Sequence, residues 1–149
     1  MGKILAITNQ KGGVGKTTTA INVAAALAAN DLRVLVIDSD PQGNATTGMG
    51  ATKYPDRPSL YQVLLGGAEI ADAVVHTGFE GMDLVPGDKN LVGANLELVD
   101  SPRREFRLHD KVAAVRAQYD FILIDCRLRI QLASPSTAPT CRYSGSASS

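Results

Sequence analysis

Between Gln10 and Thr18 the chain reads Gln-Lys-Gly-Gly-Val-Gly-Lys-Thr-Thr. Gly12, Gly13 and Gly15 let a backbone wrap closely around an anion and turn several N–H groups inward. A helix starting there would add about half a positive elementary charge at its N-terminus, so the stretch is built to hold a polyphosphate. Lys16 is spaced to reach the β- and γ-phosphates of a nucleotide, the Thr17 hydroxyl to ligate a bridging magnesium ion, and Thr18 to meet the α-phosphate. The usual phosphate-loop pattern asks for glycine at position 10, where this chain has Gln10. A glycine-rich turn with surface lysines is the plainer alternative, but it leaves the strand before the loop and the helix after it without a purpose.

Three carboxylates belong with this loop. Asp38, Asp40 and Asp125 each follow an apolar run of strand length. Ligands of open parallel sheets sit beyond the carboxyl ends of the strands, so these residues should converge on the glycine loop. Asp38 and Asp40 could instead open a turn before Pro41, and Asp125 could end its strand in the same way. His76 and His109 stand alone in what read as surface helices and are taken as structural, and Arg103 and Arg104 beside Glu105 as a solvated helix face. Cys126 and Cys141 have no metal-ligand or disulfide spacing, which suits free thiols in a reducing cytosol.

The elements that must position these groups alternate. Lys3–Thr8 is a short apolar strand, residues 17–30 an alanine-rich helix ended by Asn30 and Asp31, and residues 33–38 a second buried strand. Residues 41–58, rich in Gly, Pro, Thr and Asn, read as a loop with at most one short helix. Helices are expected over 59–65, with Ser59 as N-cap, and over 68–75. A strand follows at 82–85, helices at 90–99 and 103–118, the latter with Phe106, Leu108, Val112 and Val115 as its apolar face, and a last strand at 119–125. The expected class is α/β: a phosphate-loop nucleoside triphosphatase domain with a mostly parallel sheet flanked by helices.

In its 149 residues, 15 basic and 15 acidic groups cancel, so any DNA contact needs a local patch or a dimer surface. The apolar run at residues 4–7 is too short for a signal core or a membrane span, and a cytoplasmic protein is expected. Gly2 could invite N-myristoylation, but Ala6 stands where that signal wants Ser or Thr. After Cys126 the text turns acid-free and then rich in Ser, Thr, Pro and Gly. Residues 127–149 are therefore expected to form a tail, disordered from about Ala133.

Lys-Gly-Gly-Val-Gly-Lys-Thr-Thr-Thr resembles the deviant Walker A motif of the ParA/MinD superfamily. Residues 38–46 (DSDPQGNAT), 59–65 (SLYQVLL) and 119–126 (YDFILIDC) are similar to the chromosomal, Soj-like members, and the likeness covers residues 2–126. The resemblance implies ATP and Mg2+ as ligands, with Lys11, Gly12, Gly13, Val14, Gly15, Lys16, Thr17 and Thr18 around the nucleotide. It implies that Lys11 crosses to the nucleotide of a partner subunit in an ATP-dependent homodimer, and that Asp40 activates the attacking water, Lys11 and Lys16 assisting catalysis. Asp125 corresponds to the Walker B aspartate near magnesium, directly or through water, with Asp38 one layer further out. Nonspecific DNA and a ParB-type centromere-binding protein are the implied partners, chromosome or plasmid partitioning the role, and the nucleoid the location. Members of the family continue from Asp-Cys into Pro-Pro and about a hundred further residues, so the resemblance makes residues 1–126 the N-terminal part of the ATPase domain, incomplete at its C-terminus, through a frameshift, an early end or, equally, a sequence error after Cys126. The alternatives are a nonenzymatic fragment that binds nucleotide weakly and a MinD-like membrane-cycling regulator. The latter carries a C-terminal amphipathic helix that has no counterpart in this tail.

Overall fold

The computed structural model describes residues 2–8, 14–39, 43–50, 57–87 and 107–126. Its strands are β1 (Lys3–Thr8), β2 (Val34–Asp38), β3 (Val75–His76), β4 (Met82–Val85) and β5 (Phe121–Cys126). They form one sheet in the order β1-β5-β2-β4-β3. The first four are parallel, and only β3 runs against its neighbour β4. This is the mostly parallel α/β sheet expected. β1 and β2 are not neighbours, because β5, the last strand in sequence, inserts between them.

Alternation along the strands divides the core into two layers. Val34, Val36 and Leu123 point to one face with Met82, Leu84 and Ala24. That face is covered by α1 (Val14–Ala29), and α1 packs against α2 (Asn44–Gly48). Leu35, Ile37, Ile122 and Ile124 point to the other face. There they meet α3 (Leu60–Leu64), α4 (Ile70–Ala73) and α5 (Arg107–Ala113). A strand covered on both sides must be apolar at every position, and every residue of β2 but its terminal Asp38 is.

Local chemistry sets several boundaries. α1 ends where Asp31 takes a left-handed φ of 63°, a conformation that short polar side chains tolerate. α3 opens at Ser59 as expected, with a capping box in which the Ser59 N–H donates to Gln62 Oε1 at 2.7 Å. The helix expected over 68–75 is corrected: α4 stops at Ala73, and Val75 and His76 become a strand. β-Branched Val75 gains more by pairing with Leu84 on the sheet edge than by extending a helix. His76 therefore lies on a strand, not a helix, and it is not isolated: its Nδ1 is 2.7 Å from Asp83 Oδ1.

The helix expected over 103–118 is also shorter. α5 gives way after Ala113 to tight turns and a 3-10 segment at Arg116–Gln118. Leu108, Val112 and Val115 still face the core, and His109 stays on α5 beside Asp110. Residues 90–99, residues 103–106 including Phe106, and the tail from 127 lie outside the described residues.

At the amino ends of the strands, the Gly2 N–H donates to the Arg116 carbonyl at 3.0 Å while Arg116 Nε donates to the Gly2 carbonyl at 2.6 Å. A Cβ on Gly2 would collide with the Tyr119 and Arg116 carbonyls, so no other residue fits there. The Tyr119 hydroxyl donates to Asp83 Oδ2 at 2.7 Å, linking the approach to β5 with β4.

Burial and the neighbouring Asp83 carboxylate push the Tyr119 phenol above its ordinary value. A raised phenol contributes stability that is complete below about pH 10, where the unfolded chain still holds the proton, and that is lost as pH climbs towards the folded value. Tyr119→Phe should cost about 1.5–3 kcal/mol at neutral pH, the range for a hydrogen bond to a charged acceptor, and should flatten the alkaline fall in stability. Urea unfolding of both proteins from pH 7 to 11 measures the two effects.

Candidate functional site

Parallel pairing brings three strand ends to one edge of the sheet. Ile7 of β1 is in register with Asp125 of β5, and Asp125 with Asp38 of β2. Asp125 therefore sits in the middle of the row, between the strand that leads into the glycine loop and the strand that leads to Asp40. α1 begins at Val14, so the backbone of Gly15, Lys16, Thr17 and Thr18 forms its first turn, and its positive end lies at this edge. The helix starts three residues earlier than the alanine pattern indicated, inside the glycine cluster itself.

Asp38 and Asp125 are both fully buried. Asp38 Oδ2 accepts two hydrogen bonds from one residue, the Thr46 N–H at 2.8 Å and the Thr46 hydroxyl at 2.6 Å. The Thr46 oxygen in turn accepts from the Gly87 N–H at 3.0 Å, beyond the end of β4. Gly43, at the head of α2, has φ 67°, and its approach to the Gly87 carbonyl leaves little space for a side chain. Next to Asp38, the Ser39 hydroxyl and N–H both donate to the Asp125 carbonyl, at 2.6 and 3.1 Å. β2 and β5 are thus joined past the end of the regular ladder.

Two adjacent buried carboxylates are costly unless a cation or donors meet them. Their hard oxygens, beside a helix N-terminus that favours phosphate, fit a magnesium–nucleotide complex. The structure thus brings Asp38 and Asp125 together with the start of α1. Lys11, Gly12, Gly13 and Asp40 lie outside the described residues, as do the side chains of Lys16, Thr17 and Thr18. Sequence reasoning did not single out Thr46 or Gly87. Thr46 appears within the run Gly-Asn-Ala-Thr-Thr, where no spacing marks one threonine above the other.

A family model described as an AAA domain (AAA_31) matches residues 2–135. Over 126 residues the chain is 52% identical to the chromosome partitioning protein ParA of Caulobacter vibrioides, which covers 83% of this chain and 47% of that protein. It is 49% identical, over 85% of this chain and 50% of the relative, to the sporulation initiation inhibitor protein Soj of Bacillus subtilis. The chain belongs to the ParA/MinD-type P-loop ATPases. Among solved structures, cobyrinic acid a,c-diamide synthase from Mycobacterium smegmatis, with bound ATP analog and magnesium, superposes with a TM-score of 0.79 at 40% identity. That match covers 85% of this chain and 51% of the other. This ParA/MinD-type chain spans about half the length of the curated relatives it matches.

Ser39→Ala removes the hydroxyl bond across the β2–β5 join and leaves the backbone bond in place. A net loss of about 0.5–1.5 kcal/mol is expected from one intramolecular hydrogen bond, measured as a shift in urea midpoint with an unchanged slope.

Proposed function

We propose that this chain binds ATP with Mg2+ and hydrolyses it as a DNA-partitioning ATPase. The reading is carried by the row Ile7–Asp125–Asp38, where two buried carboxylates share an edge with the start of α1. The backbone of residues 12–15 and the positive end of α1 cradle the phosphates, and Lys16 reaches the β- and γ-phosphates. Thr17 and Asp125 hold the magnesium ion, which when bound neutralises charge on the phosphate oxygens, and Asp38 supports that arrangement from one layer out. Asp40 orients the attacking water.

Lys11 completes the reading at the level of assembly. In a nucleotide-dependent sandwich dimer it serves the ATP of the partner subunit, and the closed dimer binds DNA without sequence preference. A ParB-type centromere-binding partner stimulates hydrolysis, which releases the dimer. The ParA and Soj relatives support the partitioning role, and the cytoplasm and nucleoid follow from it as the place of action. Nucleotide binding without turnover is the second reading.

Lys16→Ala should abolish binding of a fluorescent ATP analogue in an equilibrium titration, and retained affinity would refute the site. Phosphate release by the unmodified chain with DNA and a ParB-type protein separates the two readings: sustained turnover supports the ATPase, and binding without release supports the second.

A further inference from the structure

We infer that Thr46 is a positioning residue for the metal–nucleotide site, an assignment that rests on the ATP reading above. Its hydroxyl has a single proton, which goes to Asp38 Oδ2 at 2.6 Å, while its oxygen accepts from the Gly87 N–H at 3.0 Å. With an acceptor on one side and a donor on the other, the hydroxyl has one orientation. The Thr46 N–H adds a second bond to the same carboxylate oxygen at 2.8 Å. These contacts are almost fully buried, Thr46 being 7% exposed, so they operate where water competes little.

Two consequences follow from this geometry. The carboxylate of Asp38 is held in one rotation beside Asp125, its register partner. The helix α2 is tied to the end of β2 through the two bonds from Thr46 to Asp38. The Gly87 bond extends the anchoring to the exit of β4, so one threonine joins three segments at the phosphate edge: the end of β2, the helix α2 and the turn after β4. Groups that orient the immediate surroundings of a metal typically alter its affinity or the reaction rate by about 10- to 100-fold when removed.

The unmodified chain and its Thr46→Val and Thr46→Ser variants test this. Valine keeps the shape and the backbone N–H but removes both hydroxyl bonds, and serine keeps them. Three quantities are measured: the Mg2+ concentration that gives half-maximal tightening of a fluorescent ATP analogue, the split between kcat and KM, and amide exchange at Gly87 without nucleotide. Thr46→Val should raise the Mg2+ requirement about 10-fold, lower kcat more than it raises KM, and speed exchange at Gly87. Thr46→Ser should restore all three towards the unmodified chain. An unchanged Mg2+ requirement in Thr46→Val overturns the inference alone, as does Thr46→Ser damaged as badly as Thr46→Val. Failure of the unmodified chain to bind the analogue at any Mg2+ concentration overturns the ATP reading, and the inference with it.

Discussion

The parallel alignment of β1, β5 and β2 is the constraint on which the rest of the molecule depends. Parallel strands deliver their carboxyl ends to the same edge, so groups far apart in sequence become neighbours without any long-range side-chain contact. Asp125 meets Asp38 because Val34 is level with Phe121 at the other end of the ladder and the register runs unbroken between them. A one-residue slip would turn Leu35, Ile37, Ile122 and Ile124 away from their layer, and the two-layer core forbids it. Hydrophobic packing thereby sets the position of two buried charges.

Placing those charges has an energetic cost that the surroundings offset locally. Thr46 gives two donors to Asp38, and Ser39 ties the adjacent backbone to Asp125. Each bond contributes modestly, but leaving a buried acceptor without a donor would cost more than the bond gains. The short polar residues after β2 are therefore part of the site and not only a connection.

Where the strands are apolar runs between polar loops, their identity was readable from sequence: Lys3–Thr8 and Met82–Val85 have the bounds expected. Asp38 and Asp125, read as strand-end aspartates, do meet at one edge of the sheet as register partners. β3 was hidden because Val75 and His76 pair as an edge strand only in the presence of β4, which lies six residues further on. The ends of α1 and α5 were misplaced for related reasons. Glycine is a weak helix former, yet the helix begins among the glycines, and the break after Ala113 coincides with bonds from Arg116 to Gly2 that no local pattern encodes. Thr46 and Gly87 were invisible because they are 41 residues apart and meet through a single hydroxyl.

The opposite pole of the sheet is stitched differently. Arg33 receives the Asp120 N–H on its carbonyl and gives its own N–H to the Asp120 carboxylate, Val34 is bound to Gly81, and Gly2 is locked onto Arg116. These are mostly main-chain fastenings, short and independent of ligand. The edge that holds Asp38 and Asp125 is fastened chiefly by the buried hydroxyls of Ser39 and Thr46, each committed to one acceptor. The Asp38–Asp125 edge therefore depends on the identity of a few side chains, whereas the opposite pole depends mainly on the path of the backbone.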